Sequence, residues 1–201
     1  MGSYVGFRRF VNCQEAIDWG LAYVKKQEEQ VFYSEEEKTS FYDTLGALTG
    51  SYYRIYNSVL WGDTGYADIE EIMREIEILN TGISSYIIPE DIVVYRATNL
   101  KLIKNLFNGY FPIKGTVVKY PAFLHTSLVK RTAWELIRGD FTKYNCVMKI
   151  YIVKGSRGIF VDPARTGHLN EQEIILPINC MLEIKKVLPG YYECMVSQWN
   201  R

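Results

Sequence analysis

Neither sign of charge prevails in this chain: 23 lysines and arginines face 23 aspartates and glutamates, so the formal net charge is zero. A nucleic-acid backbone is therefore not an expected partner, because binding one relies on clustered basic residues. Histidine is scarce, with only His125 and His168, and the four cysteines Cys13, Cys146, Cys180 and Cys194 form no Cys-x-x-Cys spacing. That leaves little raw material for a Cys/His metal site, and none is expected. Cys146 and Cys180 sit within apolar runs, where a buried free thiol is the commoner state, while the disulfide state stays open. No apolar run approaches the ~20 residues that span a bilayer, so insertion into a membrane is not expected. Met1-Gly2-Ser3-Tyr4 lacks a basic-then-apolar leader; either the protein stays inside its cell or a leader lies outside this sequence.

What is present begins with tyrosine, 16 of 201 residues, which suits a β-rich fold with amphipathic surfaces. A chain of this length can bury a real core. Its character changes near residue 88. Before that point the text reads as helices. Asn12 with Glu15 forms a capping signal ahead of Cys13, Ala16, Ile17 and Val24 at helical spacing, and Ser34 with Glu37 is a second start ahead of Phe41, Tyr42 and Leu45. Ile69, Ile72, Met73, Ile76 and Leu79 make an apolar stripe for which Thr81-Gly82 is the expected stop. From Ile92 onward the runs are short and β-branched: Ile92–Tyr95, Val147–Val153, Gly158–Val161, Ile174–Leu176 and Met181–Val187, with one helix near Thr132–Ile137. The expectation is an α+β fold in a single domain over residues 1–201, with a helical lobe (1–87) packed on a β-sandwich lobe (88–201).

Three polar clusters are set into strand-like apolar runs: Val93-Val94-Tyr95-Arg96, then Phe123-Leu124-His125-Thr126-Ser127, then Glu171-Gln172-Glu173-Ile174-Ile175-Leu176-Pro177. Glu-x-Glu also occurs at Glu35-Glu36-Glu37 and Glu75-Ile76-Glu77, where solvated helix faces account for it. The copy at 171–173 stands at the mouth of an apolar strand, an unlikely structural device, and that context marks it as functional. In an extended segment its two carboxylates would project from the same side.

Together the clusters resemble the arginine, Ser-Thr-Ser and Glu-x-Glu signature of bacterial ADP-ribosyltransferase exoenzymes. Trp19-Gly20, Tyr33-Ser34-Glu35-Glu36-Glu37-Lys38, Tyr53-x-x-x-Asn57-x-x-Leu60 and Pro89-Glu90-x-Ile92-Val93-Val94-Tyr95-Arg96 are similar to family segments in the same order, so the resemblance covers nearly the whole chain. Lys154-Gly155-Ser156-Arg157-Gly158 followed by Val161-Asp162-Pro163 looks most like the clostridial Rho-modifying exoenzymes; the catalytic domains of actin-modifying binary toxins belong to the same class.

The resemblance implies a mono-ADP-ribosyltransferase with NAD as co-substrate and a protein side chain as acceptor. Breaking the nicotinamide–ribose bond passes through an oxocarbenium-like state, which a carboxylate beneath the developing positive charge stabilises. Glu173 takes that role by resemblance. Glu171 would grip the acceptor, and a glutamate there suits a guanidinium, which fits two carboxylate oxygens; Rho-modifying relatives that act on asparagine carry Gln at this place. Arg96 is implied as the guanidinium on the NAD pyrophosphate, the alternative being a structural salt bridge at a strand end. Thr126 and Ser127 match the family and would fasten the site, and Asn57 would contribute to NAD binding. Phe141 either stacks on nicotinamide or anchors the core.

Two positions depart from the pattern. His125 stands where the family has its first serine; its imidazole either takes over the hold on Glu173 or narrows the pocket. Trp61 stands where an arginine usually contacts phosphate; either NAD binds more weakly or the indole stacks on adenine. The segment 162–170 is implied as the target-recognition loop, with Arg165 and His168 as its distinguishing side chains. A monomeric toxin or effector is expected, secreted or delivered to a target-cell cytoplasm, with an intracellular or phage-encoded protein as the alternative. Three activities stay open at this point: transfer to protein arginine, hydrolysis of NAD by water, and a non-catalytic protein-binding role. The last gives no physical need for both Glu171 and Glu173.

Overall fold

Both helix starts lie where the sequence places them, although the Glu15 carboxylate pairs with Arg8 at 3.1 Å instead of closing a capping box. Helix α1 (Cys13–Val31) starts where Asn12 Oδ1 accepts from Glu15 N at 2.7 Å, and α2 (Glu35–Thr49) starts where Ser34 Oγ accepts from Glu37 N at 3.1 Å. The Glu37 carboxylate returns to the N–H of Tyr33, one residue outside the cap, at 3.0 Å. Helices α3 (Tyr53–Leu60) and α4 (Ile69–Ser85) complete the first half. A computed structural model describes residue 4 and residues 6–140, 143–166 and 171–197.

The expected stop at Thr81-Gly82 is wrong: α4 runs on to Ser85 and buries Gly82. A Cβ at Gly82 would stand 2.3 Å from the Phe41 ring, so this glycine lets α4 and α2 approach closely. Ile72, Ile76, Leu79 and Ile83 carry the buried face, whereas Met73 is half exposed and lies off the stripe assigned to it.

The second half contains β1 (Ile92–Thr98), α5 (Leu100–Leu106), β2 (Val117–Tyr120), β3 (Leu124–Ser127), α6 (Lys130–Gly139), β4 (Cys146–Ile152), β5 (Ile159–Phe160), α7 (Pro163–Thr166), β6 (Glu173–Leu176), β7 (Cys180–Leu188) and β8 (Tyr191–Val196). The architecture is α+β. The strands follow the order β2-β7-β8-β4-β1-β3-β6-β5, with β4 and β8 parallel and the other neighbours antiparallel. Between β1 and β3 the ladder narrows to one register pair, Tyr95 with Ser127, so a five-strand part and a three-strand part meet there. Both parts share one apolar core, to which Val94 and Ile150 contribute from one side and Leu124 and Ile174 from the other. The helices join the same core through Phe41, Leu48, Ile76 and Ile83.

Gly20 lets α1 approach β5 closely. A Cβ on it would meet the Phe160 ring at 2.2 Å, and one turn later the Tyr23 hydroxyl donates to the Gly158 carbonyl. Gly20→Ala is accordingly expected to destabilise the protein by roughly 1–3 kcal/mol through overpacking, read as a lowered urea midpoint at constant slope. An unchanged midpoint would show that Phe160 can retreat.

Candidate functional site

Strand order brings the three clusters together. With β3 between β1 and β6, Tyr95 pairs with Ser127 and Ser127 pairs with Glu173, placing side by side residues far apart in sequence. A cavity of about 240 Å³ opens over this junction, lined by Arg96, His125, Ser127, Glu171 and Glu173 together with Tyr53 from α3 and Thr132 from α6.

Glu173 is 8% exposed and its Oε1 lies 2.7 Å from His125 Nδ1. An ionised carboxylate only accepts, so Nδ1 donates; in the neutral imidazole Nε2 is then left as an acceptor. His125 Nε2 is buried and has no partner among the described residues. The Tyr53 ring meets the imidazole edge to face at 4.8 Å and fixes its plane. The contact between His125 and Glu173 is thus formed, and the imidazole also lines the cavity. Below the pair, Thr126 Oγ1 donates to the Ile174 carbonyl at 2.8 Å, tying β3 to β6. Ser127 Oγ exchanges bonds with Val129 at 3.2 and 3.3 Å, which turns the chain from β3 into α6.

Arg96 is bound from two directions. Its Nη1 donates to the His125 carbonyl at 2.6 Å and its Nη2 to the Tyr120 hydroxyl at 3.1 Å, whereas its Nε is buried with no partner among the described residues. Burial works against the charge, yet the neighbouring phenols of Tyr120 and Tyr53 hold the pKa above the ordinary arginine value. No carboxylate pairs with this guanidinium among the described residues, so the strand-end salt bridge is not what holds it. Burial pushes the Tyr120 phenol up to about 12 against the opposing pull of Arg96, and it pushes the nearby Cys180 thiol up to about 12 as well. Both therefore stay protonated at neutral pH, and Cys180 is no nucleophile here.

The Glu-x-Glu segment is not extended, contrary to the expectation for it. Gln172 has φ +41°, a left-handed conformation uncommon for a side-chain-bearing residue, and β6 begins only at Glu173. Both glutamates still line the cavity, by way of a kink rather than a pleat. Gln172 is 1% exposed; its carbonyl accepts from Leu128 N at 2.9 Å and its Oε1 from Thr132 Oγ1 at 3.1 Å. Those bonds over-determine the strained backbone, a pattern that recurs at functional sites.

Other expected residues fall outside this cavity. Asn57 lies on α3 with its Oδ1 buried and without a partner among the described residues, and Trp61 caps that helix with its ring edge to face on Tyr120 at 5.9 Å. Trp61 thus touches Tyr120, the residue that accepts from Arg96, and neither Asn57 nor Trp61 lines the cavity. Arg165 is committed within the chain: it pairs with Glu28 at 2.7 Å and Asp162 at 3.4 Å and stacks 3.9 Å over the Tyr42 ring. Its guanidinium ties this segment to α1 and α2. Phe141 and His168 lie outside the described residues. Tyr53, Tyr120 and Thr132 were not singled out in sequence, although Tyr53 opens one of the family-like segments. Among the described residues, no group of three or more His, Cys, Asp or Glu could hold a metal ion, and no helix is long and apolar enough to cross a membrane.

A family model described as ADP-ribosyltransferase exoenzyme matches residues 16–193. Among solved structures, C3stau2 from S. aureus, determined with NAD, matches with a TM-score of 0.71 at 18% identity, covering 96% of this chain and 100% of that one. Plx2a, an ADP-ribosyltransferase toxin from Paenibacillus larvae, matches at 0.69 and 22% identity, with 96% and 100% covered. The enzymatic component C2-I of the C2 toxin from Clostridium botulinum matches at 0.63 and 18% identity, over 89% of this chain and 47% of that chain. At these identities the likeness is one of fold. No curated protein sequence matches the chain.

Proposed function

The chain belongs to the ADP-ribosyltransferase exoenzyme family, with NAD as co-substrate, and from that premise we propose that it transfers a single ADP-ribose to arginine on a protein. One observation carries the arginine assignment: a second carboxylate, Glu171, lines the same cavity as the histidine-held Glu173. Bound NAD supplies an activated glycosidic bond. Glu173 then stabilises positive charge on the ribose, and His125 keeps its carboxylate aimed. Glu171 orients the acceptor guanidinium, whose two parallel N–H groups match a carboxylate.

Buried groups without a partner among the described residues support the NAD reading. Arg96 Nε–H is a charged donor suited to a pyrophosphate oxygen, and His125 Nε2, which faces no described partner, is placed to bond a ribose hydroxyl. Trp61, beside Tyr120, would stack on adenine, Ser127 would wall the pocket, and Asn57 would contribute to NAD binding from α3, the helix that also carries Tyr53. In this reading residues 1–201 act as one catalytic domain, with helical lobe 1–87 packed on β lobe 88–201. The protein acts as a secreted or delivered monomer on a target-cell protein.

The test is incubation with NAD labelled on adenine, a small guanidine, and proteins rich in exposed arginine. Label on guanidines is the expected result; free ADP-ribose alone would make the protein an NAD glycohydrolase, and label on asparagine or a hydroxyl residue would overturn the acceptor assignment. Arg96→Lys is expected to weaken NAD binding by about tenfold or more although the charge is kept, because a point charge cannot replace the fork. Calorimetric titration with unchanged affinity would leave Arg96 a purely structural residue.

A further inference from the structure

Between Asp91 and Glu135 the chain has no acidic residue, yet it carries Lys101, Lys104, Lys114, Lys119, Lys130 and Arg131 in addition to Arg96. In the middle of that stretch, residues 107–116 turn from α5 into β2 and expose Tyr110, Phe111 and Ile113 at 76%, 63% and 69%. Val117, 49% exposed, continues the patch onto β2, an edge strand of the sheet.

The turn is a built element. Asn108, Gly109 and Gly115 take φ of 52°, 87° and 89°, conformations that reverse the chain tightly. Gly109 N donates to the Lys104 carbonyl at 2.8 Å and Tyr110 N to that of Phe107 at 3.0 Å. At the root, Gly115 N donates to Ile184 O at 2.7 Å and Ile184 N to Thr116 O at 2.9 Å. Pro112 is buried while its neighbours on both sides face out. Lys104 Nζ rests 4.5 Å from the centre of the Phe111 ring. None of Lys101, Lys104, Lys114 or Lys119 enters an ion pair among the described residues.

A contiguous apolar patch held out in water marks an interaction site. This one is a tip rather than a groove, and its rim carries four lysines; the carboxylate that the register sets opposite Val117, Glu183, is already paired with Lys185 at 2.6 Å. A protein partner would need an apolar socket ringed by acids. A lipid interface takes such a tip directly: aromatic and aliphatic side chains enter the boundary between headgroups and chains, and lysines extend to the phosphates. We propose that the 107–117 turn is a peripheral anchor that docks this chain on an anionic lipid surface, with Tyr110, Phe111 and Ile113 inserted and Lys101, Lys104, Lys114 and Lys119 on the headgroups. Strand β2 runs from this anchor to Tyr120, which holds Arg96, so roughly 10 Å of strand links the anchor to the wall of the NAD cavity. Docking would fix the mouth of that cavity relative to the lipid plane.

Sedimentation of the intact protein with vesicles tests this independently of the catalytic reading. The native chain is expected to bind vesicles of phosphatidylcholine mixed with phosphatidylserine far better than phosphatidylcholine alone. Phe111→Asp combined with Ile113→Asp should lower that binding by about tenfold or more. Lys104→Glu combined with Lys114→Glu should lower it by about fivefold or more per lysine and erase the preference for the anionic lipid. NAD cleavage in solution should be unchanged in both variants, since neither pair lines the cavity. Absence of anionic-lipid binding by the native chain, or native-like binding by both variants, would overturn the proposal. So would loss of transfer to a soluble protein in a lipid-free reaction, which would assign the tip to a protein partner instead.

Discussion

Glu173→Gln is expected to slow nicotinamide release by about a thousandfold while leaving the thermal unfolding midpoint near that of the native protein. The substitution keeps the shape of the side chain and one carbonyl oxygen able to accept from His125 Nδ1, the bond that holds Glu173 at 2.7 Å. What disappears is the negative charge. In a site this enclosed, with Glu173 only 8% exposed, little water is present to replace it. The charge matters most when the ribose turns cationic, so the loss should fall on the rate of cleavage far more than on NAD affinity. Turnover close to native, followed by chromatography of free nicotinamide, would remove Glu173 from the chemistry. A parallel loss of NAD binding would make it a binding residue.

Glu171→Gln should separate two activities. Cleavage of NAD needs a carboxylate beneath the ribose, whereas transfer also needs an acceptor nitrogen held in line. The guanidinium is a poor nucleophile, its pKa in solution lying above ~12, so a positioned base that orients and partly deprotonates it contributes on the order of a hundredfold or more. The variant is expected to lose labelling of protein arginine by about that factor yet retain much of the slower hydrolysis by water. Simultaneous measurement of incorporated label and free ADP-ribose decides the matter. Equal loss of both would mean that Glu171 serves the shared cleavage step.

The elements that sequence patterning revealed are those in which one period dominates. Stripes such as Ile72, Ile76 and Leu79, and β-branched runs such as Ile92–Tyr95, show their burial directly. Strands β2 and β8 escaped notice for a physical reason. In β2 exposed and buried residues alternate over only four positions, at a sheet edge, and β8 mixes Glu193 among aromatic and thiol side chains. The end of α4 was misread because Gly82 usually signals a stop, while here the missing side chain admits Phe41.

At the site, the three clusters were legible because polar residues stood where strands should be apolar. The conformation of Gln172 was not. Glutamine carries no preference for positive φ, and the bonds that impose it come from Leu128 and Thr132, more than 35 residues away in sequence. Likewise nothing in the text tied Tyr120 to Arg96; their contact exists only once β2 and β1 are folded into one sheet.

The thiols offer a readout of a different kind. Cys13 is exposed on α1, whereas Cys146, Cys180 and Cys194 are buried, free, and carried one each by β4, β7 and β8. Burial raises all three, with Cys180 and Cys194 pushed up to about 12. Alkylating reagents act on the thiolate, so a native molecule should take up one equivalent quickly and the rest only as strands separate. The chain thus carries its own clock for unfolding: second, third and fourth equivalents report the opening rate of three neighbouring or near-neighbouring strands without any introduced probe.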